Sequence, residues 1–461
     1  MDDIEEYVDA NEVDNYMAKS FKFSSFCKEY WLAIATAVTA ALALVQSSIF
    51  KLNLEGGAAV LMLPADMFLR HVRGFMVLFV IFSAASRASL FAESKGNPVK
   101  RKVILSYFVS GLLTLLVGFL FGYLLIPAKG DDLPSQYFVK FLDPKYTPGI
   151  NFVKFLRGLA VHDIPGNVLT TRFDVYNQFG RDQVKDGLGD GYNGPGFIVF
   201  GLLIAASTYF LGKDGEIVRN IVHLVHKCLL GVYWMLLCYS PIAIYFSGIV
   251  TFDTLSKDGT FGYLCLRYLL LFFIGLLVAL VRIFIVLPLL HFVRCGSFGF
   301  DVILKVAGLL PTAFMGGSSV RMVEKTKYYL KSKRFNSEIV DSYLPFCTVA
   351  NGECVGAGFA LTAIFALKLF GNDIDWSVFL KIVITGLLYE FAITEYIQCH
   401  LFAVIFFLNT SMITADFIVP IILADWLYDR LGIVANTISD ALTIDYIESI
   451  HTSGRTSVQN V

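Results

Sequence analysis

The sequence predicts an all-α polytopic membrane protein with eight transmembrane helices and two re-entrant helical hairpins. Three observations predict this. Of 461 residues, 56% are hydrophobic and only 16% are charged, against about 25% charged in ordinary soluble domains. Apolar stretches long enough to cross about 30 Å of hydrocarbon recur along the chain. The last of them carries a polar stripe, Asp425, Asp429, Asn436 and Asp440. Its steps of four, seven and four place all four groups on one helix face at 3.6 residues per turn. Ionisable groups at membrane depth are costly and mark a bundle interior or a solute path.

The spans are read in order as Trp31–Phe50, Ala58–Ala92, Val103–Ile126, Phe197–Leu211, Ile217–Val250, Phe261–Phe292, Ile339–Phe370 and Phe417–Ile447. The fourth is short, and Gly149–Leu169 is its candidate companion. The second carries Asp66, Arg70, His71 and Arg73, so it is not a simple lipid-facing helix. Two further apolar segments are interrupted. Phe298–Lys331 is apolar to Phe314, breaks at Gly316-Gly317-Ser318-Ser319, and then turns amphipathic. Val378–Phe407 contains Glu390, Glu395, Gln398 and His400. Helix breaks at membrane depth survive only where protein or a water cavity satisfies the freed backbone, and paired discontinuous segments point to a transporter site.

Basic residues set the orientation. Lys19, Lys22 and Lys28 precede the first span, Lys95 to Lys102 separate the second and third, and Lys325 to Arg334 follow the first broken segment. All three clusters agree on one topology, with both termini cytoplasmic. The acidic start, Met1-Asp-Asp-Ile-Glu-Glu, is not a cleavable signal peptide. Residues 1–30 and 449–461 read as polar cytoplasmic tails. Pro127–Pro195, polar and glycine-containing, is the one stretch with a fold partly outside the bilayer.

Other function classes are excluded by composition. A net charge of −1 leaves no polybasic nucleic-acid surface. The eight cysteines form no CxxC pair and read as buried thiols, not as a metal or disulfide framework. There is no nucleophile–base set and no phosphate loop, so the chain is not read as an enzyme and no cofactor is expected.

Several motifs, in this order, carry a resemblance. They are Gly231-Val-Tyr-Trp-Met with Tyr239-Ser-Pro-Ile-Ala-Ile, Thr312-Ala-Phe-Met-Gly-Gly-Ser-Ser, Thr348-Val-Ala-Asn-Gly-Glu-Cys-Val and Ala424-Asp-Trp-Leu-Tyr-Asp-Arg. With Asn436 and Asp440 in step behind the last, the chain from Trp31 to Ile450 resembles the dicarboxylate/amino acid:cation symporter family. That family includes the excitatory and neutral amino acid transporters.

The resemblance implies a secondary transporter that moves a small amino acid by alternating access, with Na⁺, or a proton in the alternative, as coupling ion. It implies a homotrimer in the plasma membrane, with membrane lipid and an amino acid substrate as partners. Residues 31–296 would hold helices one to six, of which one, two, four and five form the trimerising scaffold. Residues 297–448 would form the transport core. Substrate-binding residues carried over from the family are Asp429 for the α-amino group, and Ser318, Ser319 and Asn436 for the α-carboxylate. Cation-binding residues carried over are Ser110, Asn351, Glu353 and Asp440, with Asn351 and Asp440 as the Na⁺ candidates. Na⁺ is a hard cation that takes oxygen ligands, and a zwitterion requires an anion and hydrogen-bond donors, so these residue types suit the task.

Three departures shape the expectation. Gly317 and Gly432 stand where members that carry acidic substrates have an arginine, which favours a neutral substrate because a desolvated carboxylate would otherwise lack a partner. The glycine- and serine-rich tip of the second hairpin is replaced by Glu390-Phe-Ala-Ile-Thr-Glu-Tyr-Ile-Gln-Cys-His400, to which no role is assigned. Glu353 replaces an aspartate of the signature, and Gly111 follows Ser110 where the family has a hydroxyl cluster. The rival readings are a proton-coupled carrier of another small solute and a non-transporting or channel-like relative. The plain alternative for Asp429, Asn436 and Asp440 is a solvated helix face, and for Ser318 and Ser319 a simple turn.

Overall fold

A computed structural model describes residues 30–49, 58–127, 148–158, 171–173, 187–189, 194–257, 261–369, 371, 373–393 and 415–459. The architecture is helical. Helices α1 (Trp31–Ile49), α2 (Ala58–Glu93) and α3 (Pro98–Leu125) are followed by the short α4 (Pro148–Gly158), then α5 (Gly194–Phe210) and α6 (Lys213–Lys257). The next helix runs as α7 (Phe261–Val281), a π-helical turn at Arg282–Val286, and α8 (Leu287–Cys295). The first broken segment comprises α9 (Phe300–Val306), α10 (Leu310–Gly316) and α11 (Ser319–Ser332). Then come α12 (Ser337–Ala350), α13 (Glu353–Leu369), α14 (Trp376–Ala392) and α15 (Ala415–Gln459).

Among the described residues, five helical stretches have the length and hydropathy to cross a membrane: Val60–Ala92, Pro98–Leu125, Lys213–Asp253, Gly262–Cys295 and Ser337–Leu369. Trp31–Gln46 and Gly194–Phe210 are shorter apolar helices. The protein is therefore an integral membrane protein with several apolar helices. Leu105, Val109, Leu113, Leu120 and Leu124 of α3, and Leu266, Leu269, Phe273, Leu277 and Leu280 of α7 with Phe284 of the π turn, are exposed. Helical spacing groups these side chains on the flanks of their helices, where lipid takes the place of water as an apolar solvent.

Two details depart from the sequence reading. Within the 127–195 loop, Thr171–Phe173 (β1) and Gly187–Gly189 (β2) pair as a short antiparallel ribbon, a local addition to an otherwise helical fold. The final helix also continues beyond residue 448 to Gln459, through the stretch read as a polar tail. The return arm of the second broken segment, with Glu395, Gln398 and His400, lies outside the described residues.

Packing follows apolarity. Helices α1, α2 and α5 each pack on α6, and α2 also packs on α5. Helix α13 is apolar on every face, and all but one of its residues are buried, as expected of a helix with no solvent side. It is enclosed by α3, α7, α14 and α15. Helix starts are capped where the sequence supplies an amide or carboxylate. Asn97 accepts from the backbone of Val99 and Lys100, Asn336 from Ile339, and Asp375 from Val378; each such cap is worth about 1 kcal/mol.

The breaks have local causes. Gly317 ends α10 at φ 62°, a left-handed conformation that only glycine adopts at little cost, and extended Ser318 then caps α11 by accepting from Arg321 N–H. Helix α12 ends at Asn351, whose φ of −82° and ψ of 104° are non-helical, before α13 restarts at Glu353. The π turn at Arg282 precedes Pro288. Proline cannot donate to the carbonyl of Phe284 and crowds it, and a widened turn relieves that conflict.

Candidate functional site

The broken segments α10–α11 and α12–α13 both pack against α15. The α15 stripe is not a solvated face, because Asp429, Asn436 and Asp440 are all buried. Asp425 belongs to the same helix.

Asp440 forms one centre. Tyr107 of α3 donates to its Oδ1 at 2.9 Å, and Asn351 Nδ2 donates to the same oxygen at 2.8 Å. The Thr348 hydroxyl lies 3.2 Å from Oδ2 and 2.9 Å from the Leu344 carbonyl, so one proton serves two acceptors. Asn351 also donates to the Asn436 carbonyl at 3.3 Å. Among the described residues no cationic side chain pairs with Asp440, and Asn351 Oδ1 has no hydrogen-bond partner. A buried carboxylate is thus held by neutral donors alone, beside an unused amide oxygen.

Glu353, two residues past Asn351 at the start of α13, forms a second centre. Ser110 donates to its Oε2 at 2.8 Å and Ser439 to its Oε1 at 3.3 Å. The decisive partner is Arg282, whose Nη2 lies 2.6 Å from Glu353 Oε2, with both side chains 1% exposed. The same nitrogen donates to Asn436 Oδ1 at 2.5 Å, and Nη1 contacts Cys354 Sγ. Cys354 in turn donates to the Gly432 carbonyl at 3.2 Å. Asn436 Nδ2 keeps no partner among the described residues. The sequence reading missed Arg282. The signal was present: it is a charge in the middle of the apolar span Gly262–Cys295, with Arg267 and Arg294 nearer the two ends, and such a charge is a functional candidate by default.

The hairpin tip forms the third cluster. Ser318 and Ser319 are buried at the start of α11. Arg430, next to Asp429 on α15, reaches this tip and donates to the Met315 carbonyl at 2.9 Å. Its guanidinium fills the space beside Gly317, where a Cβ would collide with it. The absence of charge at Gly317 and Gly432 therefore does not leave the tip uncharged. Arg430 and Met315 also line a cleft with Tyr30, Trp234, Gly316, Arg321 and Met322, between α1, α6 and the hairpin.

Glu390, given no role from sequence, is buried at the end of α14. Its carboxylate lies in a slot between Gly111 of α3 and Gly356 of α13, and a Cβ at either glycine would overlap it. Arg87 of α2 donates to the Glu390 carbonyl at 2.8 Å and contacts that of Ile393, while Ser83 donates to Ala392 O at 2.7 Å. The last carbonyls of α14 are thus capped from α2, an alternative to the usual glycine cap. Elsewhere, His291 Nε2 meets Asp445 Oδ2 at 3.3 Å near Cys295. Of the six cysteines described, only Cys347 and Cys354 are buried, so the buried-thiol reading holds for those two.

A helical membrane bundle whose buried oxygen-rich centres sit at helix breaks has the design of a secondary transporter. The chain belongs to the sodium:dicarboxylate symporter family, whose sequence model matches residues 30–447. It is similar to excitatory amino acid transporter 3 of Oryctolagus cuniculus, 20% identical over 92% of this chain and 86% of that protein. It is also similar to excitatory amino acid transporter 1 of Ambystoma tigrinum, 24% identical over 84% of this chain and 76% of that protein. The human transporter 3 is 19% identical over 94% of this chain. This is a family of membrane transporters, not of enzymes.

Proposed function

We propose that the protein is a Na⁺-coupled carrier of a small amino acid with a neutral side chain, working by alternating access. The observation that carries this reading is the Asp440 centre. It offers a buried carboxylate without a cationic partner among the described residues and the unused Asn351 Oδ1, a donor set suited to a hard monovalent cation. Na⁺ is cargo here. Tyr107, Thr348 and Asn351 now direct hydrogens at Asp440, and they would turn their oxygens inward when the ion enters.

The substrate would lie between α15 and the first hairpin. Asn436 Nδ2 is an uncommitted donor for its carboxylate, joined by Ser318 and Ser319, and Asp429 would take its ammonium. A neutral side chain is favoured because Arg430 holds its Nη1 against the carbonyl oxygens of Met315 and Phe314, although its Nε keeps no partner among the described residues. Its position at the hairpin tip supports a second reading, an acidic amino acid as substrate, as do the names of the relatives. Trimer formation through α1, α2, α5 and α6, cytoplasmic termini and a plasma-membrane location belong to the same proposal.

The test is uptake by purified protein in liposomes from a pool of labelled neutral and acidic amino acids, under Na⁺, choline and proton gradients. Na⁺-driven accumulation of a neutral amino acid, lost in Asn436→Ala, is the expected result. Accumulation of glutamate or aspartate alone would establish the second reading, and uptake driven only by protons would contradict Na⁺ coupling.

A further inference from the structure

Two carboxylates, Glu353 and Asp440, face the same core from α13 and α15, yet their surroundings differ in kind. Asp440 is surrounded by neutral donors. Glu353 holds a guanidinium at 2.6 Å, in a place where both side chains are 1% exposed. Arg282 cannot lose its charge under physiological conditions. Nor is it a loose neighbour. The π turn at Arg282–Val286 widens α7 where the side chain leaves the helix, and the guanidinium is fixed by three separate groups: Glu353, Asn436 and Cys354.

We propose that Arg282 is a tethered cation that takes the place of a dissociable coupling ion at Glu353. The inference rests on the Na⁺-carrier reading above and specifies its ion count. Both Glu353 oxygens are already engaged, one by Arg282 and Ser110 and the other by Ser439. A free cation entering there would have to displace a guanidinium covalently attached to α7, whose effective concentration at the site is high. The wider charge pattern agrees. Among the described residues the buried carboxylates are Asp253, Glu353, Glu390, Asp429 and Asp440, and the buried guanidinium groups are Arg87, Arg267, Arg282 and Arg430. One negative charge remains, so one monovalent cation and a zwitterion leave the loaded core neutral. The longer side chain of Glu353, compared with aspartate, suits a partner reaching in from α7.

The test is Na⁺ binding to the purified full chain in detergent, read as thermal stabilisation against Na⁺ concentration with choline holding ionic strength constant. The dependence of stability on the logarithm of Na⁺ counts the ions bound on folding. Wild type should show a one-ion dependence that survives in the doubly neutralised Arg282→Gln/Glu353→Gln protein. Arg282→Gln alone, with Glu353 now unpaired, should gain a second ion, or fold only when Na⁺ is present. A two-ion wild type that drops to one in Glu353→Gln would overturn the proposal, as would an Arg282→Gln protein that folds and gains none. If wild type binds no Na⁺ and Arg282→Gln binds one, the tethered-cation proposal stands and the Asp440 reading falls.

Discussion

Arg282 and Glu353 form an ion pair at 2.6 Å between α7 and α13, with both side chains 1% exposed. Such a pair gains little over apolar residues of the same volume, but removing one partner strands a charge and costs about 3–5 kcal/mol. Arg282→Met and Glu353→Gln should therefore each lower the melting temperature steeply in detergent. The double variant should recover most of the loss. Equal and additive losses in both singles and the double would show that the two residues act independently.

The Asp440 centre predicts a separation of charge from structure. Asp440→Asn keeps an acceptor for Tyr107 and removes the charge that would attract a cation. The variant should remain folded and lose Na⁺-dependent stabilisation, measured by melting with Na⁺ against choline. Unchanged Na⁺ stabilisation would move the ion elsewhere.

The Glu390 slot predicts a size-dependent rescue. A Cβ at Gly111 or Gly356 meets the Glu390 carboxylate, and overpacking of this kind costs typically about 1–3 kcal/mol. Gly356→Ala should destabilise in thermal melts, and Glu390→Ala should relieve part of that loss in the double variant. A strictly additive pair would contradict the close approach.

Gly317 should tolerate no side chain. Its φ of 62° disfavours one, and the Arg430 guanidinium occupies the space. Gly317→Ala should cost more than about 1 kcal/mol and reduce uptake. Gly317→Arg, the family's charged alternative, should fold only when Arg430 is also shortened. Normal folding of Gly317→Arg alone would refute this placement.

The capping of α14 by Arg87 predicts a local effect. Arg87→Met should raise amide exchange at the end of α14, around Tyr389 to Ile393, more than in α13. Equal protection in both proteins would show that the carbonyls are held by other groups.

Much of this arrangement was legible in the sequence because one-dimensional periodicity maps directly onto a helix face. The stripe of Asp429, Asn436 and Asp440 has a spacing that only a helix aligns, and the Gly316-Gly317-Ser318-Ser319 break has the residues that a left-handed turn and an N-cap require. Arg282 was not legible, because its meaning depends on which helix α7 packs against and on a π turn that no simple period reveals. Glu390 was visible as a charge in an apolar segment. Its slot, however, is made of glycines on two other helices, and an absent side chain leaves no local signal. The effect of Arg430 on Gly317 was hidden for the same reason: a charge missing at one position is supplied in space from another.

The most direct test of the account is the ratio of labelled Na⁺ to labelled amino acid moved into the same proteoliposomes, for wild type and Asp440→Asn. One Na⁺ per neutral amino acid, with both fluxes lost in Asp440→Asn, is the predicted result. Amino acid uptake without Na⁺ flux, or full Na⁺-coupled uptake by Asp440→Asn, would contradict it.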